Sequence, residues 1–184
     1  MPAKAEATTM HFNEADEALA SGGCPVRVRK LGHVVLWVRD VERSKKFYTE
    51  VLNFRVSDVN EKGMVFFTAC GDHHTIAIAE APNDSAGAKG SPGLHHFAME
   101  VGRVDELFAI RQFLKEKGVT ITFEGRRGAG SNTGIEFLDP DGNSLELYCD
   151  IDQIRPGQAR RPAEQWSRST TLEGAREHPL PAAW

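Results

Sequence analysis

The sequence predicts an α+β fold of two tandem βαβββ modules whose sheets curve around a shared cavity, and three observations carry that expectation. The run Leu31-Gly32-His33-Val34-Val35-Leu36-Trp37-Val38 is replayed by Leu94-His95-His96-Phe97-Ala98-Met99-Glu100-Val101, each strand-like, with a histidine at its third position and a valine at its end. Each run leads into a helical pattern and then three further strand-like stretches. Between the copies, residues 82–93 are rich in Gly, Ser, Ala, Asn and Asp and read as a linker. Self-similarity of this kind marks a duplicated module. Each four-stranded sheet can bury one face on its own helix, so the remaining faces line something shared.

The first module, about residues 29–81, starts with a strand that reaches Val38. Asp40 then caps a helix with a stripe of Val41, Ser44, Phe47, Tyr48, Val51 and Leu52. A strand starts at 53–56, Glu61-Lys62-Gly63 turns, and runs at 64–70 and 75–79 are split by Gly71-Asp72. The second module, about residues 94–150, repeats the order: strand 94–101, helix 104–117 ended by Gly118, strand 119–124, a Gly/Arg loop at 125–130, strand 134–138, the turn Asp139-Pro140-Asp141-Gly142, and strand 144–149. Residues 1–28 read as an N-terminal extension with a short helix over 13–20 before a Ser21-Gly22-Gly23 break. Residues 151–184 form a C-terminal tail rich in Pro and Arg, with one short helical piece near 172–177. Its Trp166 and Trp184 favour packing on the chain itself or on a neighbouring subunit over an order-free tail.

The chain has 184 residues, 40% of them apolar and 26% charged, with a net charge of −4. That balance, without a Lys/Arg block, excludes a nucleic-acid partner. No apolar run in the first 30 residues suggests a signal peptide or membrane anchor, so a cytoplasmic protein without membrane contact is expected. Cys24, Cys70 and Cys149 form no CxxC spacing and read as reduced thiols. A paired-module chain with a long tail is expected to be a homo-oligomer.

His33 and His96, at one structural position of a repeat, and Glu146 in the last strand form a candidate metal set. Two imidazoles and one carboxylate leave open positions on an octahedral divalent ion. A histidine in an apolar strand is more often a packed core residue; the repeat is what raises these two above that. Glu146 lies between Leu145 and Leu147, so Ser144, Glu146 and Tyr148 share a face, and a carboxylate facing an interior needs a cation or a hydrogen-bond donor.

The sequence resembles the vicinal oxygen chelate (glyoxalase/bleomycin resistance/dioxygenase) superfamily, and within it the one-domain type I extradiol (catechol 2,3-type) dioxygenases. The resemblance lies in Leu31-Gly32-His33-Val34-Val35, Asp72-His73-His74-Thr75-Ile76-Ala77-Ile78, Leu94-His95-His96-Phe97-Ala98, and Phe137-Leu138-Asp139-Pro140-Asp141-Gly142-Asn143-Ser144-Leu145-Glu146-Leu147-Tyr148, within residues 30–150. It implies a metal-centred cavity in which His33, His96 and Glu146 bind iron(II), with manganese(II) as the other metal. It implies His74 as the acid–base histidine. Aligning Gly71 with Gly142 sets Thr75 opposite Glu146 and turns His73 inward, so either histidine can be the proton carrier. The partners implied are a small aromatic diol and O2, cleaved next to the diol to a muconic semialdehyde-type product.

Two departures stand out. Glu136 occupies the position where ring-cleaving members usually carry a tyrosine, and Arg126-Arg127-Gly128 replaces an Arg-His-Gly loop. Glu136, Arg127 and His95 are the candidates on the substrate side; Arg127 could hold a substrate carboxylate or stand in a solvated loop, and His95 could support His96 or face the helix side. A rival reading is a lyase, epimerase or thiol transferase with a non-redox divalent metal; another is a non-enzymatic small-molecule binding protein.

Overall fold

A computed structural model of the chain describes residues 30–83, 93–154 and 158–180. The helix expected over 13–20, Cys24, Trp184 and most of the 82–93 linker lie outside them. Residues 32–153 and 161–184 belong to one unit, which holds every described strand and helix; residues 30, 31, 154 and 158–160 belong to another and carry neither.

The first module consists of β1 (Val34–Val38), α1 (Val41–Glu50), β2 (Arg55–Val59), β3 (Val65–Thr68) and β4 (Ile76–Glu80), in the sheet order β1-β4-β3-β2. The second consists of β5 (Phe97–Glu100), α2 (Val104–Glu116), β6 (Ile121–Arg126), β7 (Thr133–Leu138) and β8 (Ser144–Cys149), in the order β5-β8-β7-β6. In both, the first strand runs parallel to the last and the other pairs are antiparallel. The two-module α+β architecture read from the repeat is therefore the fold.

Both leading strands start later than expected, just after the repeated histidines, so His33 and His96 stand at the entrances of β1 and β5. The registers also correct one alignment. Val35 pairs with Ala77 and Ala98 with Glu146, so the first module's counterpart of Glu146 is Ala77 and not Thr75. The turn before β4 is two residues longer than the one before β8, and aligning the turn glycines carried that excess into the strand. The first module still offers no carboxylate at this position.

Local chemistry explains the elements. The Asp40 carboxylate accepts the Arg43 N–H at 2.9 Å and caps α1, which buries Ser44, Phe47 and Tyr48 on one face. Helix α2 has no side-chain cap; Leu107 and Leu114, fully buried two turns apart, hold it to the sheet. Gly118, at φ +69°, ends it in the left-handed region that glycine adopts without strain.

The turn between β7 and β8 joins the modules. Tyr48 is fully buried and its hydroxyl donates to Asp139 at 3.0 Å. Asp141 accepts from the Arg39 N–H at 3.1 Å, the Ser44 hydroxyl at 3.0 Å and the Arg43 guanidinium at 2.6 Å. Burial alone would raise the Asp141 carboxyl, but the Arg39 N–H, the Ser44 hydroxyl and Arg43 outweigh it and hold the group below the usual carboxylate range.

The C-terminal segment packs on its own chain, as one of the sequence alternatives has it. Helix α3 (Leu172–Glu177) puts Leu172 and Ala175 into the core, and Arg111 of α2 bridges Glu124 and Glu173 at 3.0 and 2.7 Å. The 125–130 loop is not wholly solvated: Gly125 and Arg126 finish β6, and Arg126 is 6% exposed. A Cβ on Gly125 would collide with the Ser169 carbonyl, so a glycine is what lets the tail lie against β6. Among the described residues no helix is long and apolar enough to cross a membrane.

Candidate metal centre

Glu146 is a buried carboxylate of the second module. Strands β7 and β8 pair Glu136 with Glu146 and Gly134 with Tyr148, placing Gly134, Glu136 and Glu146 on one face. Glu146 is 5% exposed; its Oε1 accepts from the Asn132 amide at 2.6 Å and its Oε2 lies 3.4 Å from His96 Nε2. A Cβ on Gly134 would stand 2.7 Å from Oε1, so the missing side chain is the room in which the carboxylate sits. Burial pushes the Glu146 carboxyl up and the neighbouring Glu136 adds to it, against the opposing pull of His96, Arg127 and Asn132.

Glu136 does not stand as a free second carboxylate. Arg127 donates to its Oε1 through both Nη2 and Nε, the latter at 3.1 Å, and the same guanidinium lies 3.5 Å from the centre of the Phe123 ring. Arg127 thus lies by the site, with its charge engaged by Glu136.

His95 and His96 approach Nδ1 to Nδ1 at 2.7 Å, one ring donating to the other. The contact ties the two rings together, with His96 Nε2 on the side of Glu146. In the first module, His33 packs on His74 with ring centroids 4.5 Å apart, and the Phe66 ring meets His74 edge-on at 5.1 Å. His73 turns to Asp58 at 3.8 Å and is 61% exposed. His74, and not His73, is therefore the histidine brought to His33; both lie in the bend before β4, where strand alternation does not apply. Desolvation, then the proximity of His33 and His73, lowers the His74 imidazole below its usual value.

The donors assembled at Glu146 fit a divalent cation: a buried carboxylate with one amide donor, and an imidazole nitrogen aimed at its other oxygen. His33 is held against His74, and among the described residues no group of three His, Cys, Asp or Glu side chains converges on one point. Asn132 and Gly134 were not singled out in the sequence. Their positions before and within β7, across from β8, are the signal that finds them.

The duplicated βαβββ fold sets the class of protein, two modules with a histidine at the entrance of each, and comparison gives the family. Residues 30–147 match the Glyoxalase/Bleomycin resistance protein/Dioxygenase superfamily, and the chain belongs to that superfamily. Metapyrocatechase 2 of Cupriavidus necator is 34% identical over 134 residues, which are 71% of this chain and 39% of the relative. A probable lactoylglutathione lyase of Vibrio parahaemolyticus is 31% identical over 120 residues, 62% of this chain and 86% of that protein. The crystal structure of the fosfomycin resistance protein FosX of Listeria monocytogenes superposes with a TM-score of 0.54 at 22% identity, covering 66% of this chain and 91% of that one. The chain thus spans less than half the length of this metapyrocatechase.

Proposed function

We propose that the chain is an extradiol ring-cleaving dioxygenase that inserts both atoms of O2 into a catechol-type aromatic diol, with His33, His96 and Glu146 holding iron(II). The observation that carries this reading is the buried Glu146 carboxylate, fixed by Asn132 and faced by His96 Nε2. The similarity to a metapyrocatechase supports the diol as substrate class. Iron(II), when bound, supplies Lewis acidity to the diol oxygens and electron exchange between diol and dioxygen. Asn132 and His95 fix the orientation of Glu146 and His96. His74 accepts a diol proton at a ring nitrogen and returns it later in the reaction. Arg127 neutralises Glu136, so that one uncompensated carboxylate, not two, faces the cation.

Self-association belongs to the same proposal. On β1 the face of His33 continues through Val35 and Trp37, which are 47% and 64% exposed, an apolar surface of the kind a second copy covers.

A second reading has one observation in its favour: Glu136 stands opposite Glu146 where a tyrosine is usual, and a lactoylglutathione lyase is among the relatives. It is a lyase, epimerase or thiol transferase with a non-redox metal such as manganese(II). Anaerobic purification with metal analysis, followed by a catechol panel monitored for O2 uptake and the yellow ring-fission product, separates the two. Stoichiometric iron with O2 uptake on a catechol supports the dioxygenase; iron occupancy without O2 uptake on any catechol overturns it. His96→Ala and Glu146→Ala each lose stoichiometric metal while remaining folded. Mixing His33→Ala chains with Glu146→Ala chains restores metal binding only if the site is completed between copies.

A further inference from the structure

The second module carries a second concave site, outside the chemistry proposed above. A cleft of about 880 Å³ opens between the β6–β7 loop and the C-terminal segment, with Phe123, Arg126, Arg127, Trp166, Arg168 and His178 in its lining. Among the described residues that line it there are three arginines and no Asp or Glu, in a chain whose net charge is −4. The site is positive by construction and not by overall composition.

Each arginine is held differently. Arg126, 6% exposed, donates to the Thr133 hydroxyl at 3.3 Å and to the carbonyls of Ser167, Ala175 and His178 at 3.2, 2.6 and 2.6 Å. All four acceptors are neutral, so the charge of this buried guanidinium is not cancelled by a carboxylate in contact with it. Arg127 lies on Phe123, 3.5 Å from the ring centre, and Arg168 stands over Trp166 at 5.3 Å. Arg127 has Glu136 as a carboxylate partner; among the described residues Arg168 has none. A Cβ on Gly128 would lie 2.6 Å from the Trp166 ring and 2.7 Å from Arg168 Nε, so loop backbone and tail side chains are fitted to one another at this wall.

We propose that this cleft binds a planar organic anion, its carboxylate taken by the forked N–H edge of Arg168 and its conjugated body laid against the arginine–aromatic pairs. A guanidinium resting on a ring keeps its in-plane N–H groups available to a carboxylate, which they match two to two. Flat walls of Phe123 and Trp166 favour a flat ligand over a compact inorganic anion. Glu146 and both repeated histidines are absent from the lining, and Arg127 is shared with the metal centre through Glu136, so Arg168 is the side chain on which the proposal rests.

The test is calorimetric titration of the full chain, treated with a chelator, with trans-cinnamate at low salt. One saturable site is expected, weakening as salt is raised. Arg168→Gln raises Kd by about tenfold or more, and Arg168→Lys, which keeps the charge and loses the fork, raises it less. His96→Ala leaves Kd unchanged. No saturation below about 10 mM, an unchanged Kd in a folded Arg168→Gln variant, or equally tight binding of inorganic phosphate overturns the proposal. Loss of cinnamate binding in a folded His96→Ala variant also overturns it, by placing the ligand at the metal centre.

Discussion

Glu146 owes its position to its neighbours more than to itself. A carboxylate at 5% exposure flanked across the strand pair by Glu136 is unfavourable on its own; Asn132, His96 and the space over Gly134 make it tolerable. Asn132→Ala leaves Oε1 without its donor and is expected to weaken manganese(II) binding about 10- to 100-fold in equilibrium dialysis, with the fold retained. Gly134→Val should do worse, because its side chain enters the space that the carboxylate fills. The same logic of burial sorts the thiols. Burial and the adjacent Asp150 push the Cys149 thiol up to about 12, whereas Cys70 is exposed. At pH 8 a thiol-specific reagent is expected to modify Cys70 rapidly and to reach Cys149 only after denaturant is added, as peptide mapping of the labelled protein will show.

At the scale of elements, the turn between β7 and β8 is the hinge of the architecture. Its Asp139 and Asp141 look like generic turn residues, yet they reach across to α1 of the other module. Asp141→Ala removes acceptors from the buried Ser44 hydroxyl and the Arg39 N–H together, and is expected to destabilise the chain by about 2 kcal/mol at pH 7 in urea unfolding. The folded-state Asp141 carboxyl is depressed, so its contribution is complete above the unfolded value of about 3.9 and is lost as pH falls toward the folded one. Wild type and variant should therefore converge in stability at strongly acid pH; a gap of constant size from pH 7 down would contradict this account.

Element order and the boundaries of β8 and α3 were legible because strand and helix periods repeat between copies and turn residues punctuate them. The register of β4 was not, since a turn two residues longer leaves the alternation intact while shifting every partner. His95 and Arg127 were legible as candidates but not in their roles, because those depend on which ring nitrogen or carboxylate lies within 3 Å, a distance no spacing encodes.

For the whole molecule, the segment after residue 160 packs on its own chain, as its tryptophans favoured over an order-free tail, although its composition is rich in Pro and Arg. It is stabilised by what it covers and not by its own propensity. Ser169 pairs with Arg126 as an added bridge on β6, Leu172 is fully buried, and the Arg126 guanidinium is satisfied almost entirely by tail carbonyls. Segment and module are then one cooperative unit, and two substitutions can distinguish that from a tail that merely adheres. Leu172→Ala empties a core position and is expected to cost about 2–5 kcal/mol of global stability. Removing residues 161–184 takes Leu172 and Ala175 out of the core and exchanges the tail carbonyls on Arg126 for water, and is expected to cost at least as much, about 3–5 kcal/mol. Replacing Arg126 by methionine in the full chain leaves the carbonyls of Ser167, Ala175 and His178 without this donor and is expected to lower stability as well. Urea unfolding followed by tryptophan fluorescence and far-ultraviolet dichroism reads all three; a truncated chain as stable as the full one would mean that the tail only rests on the module it touches.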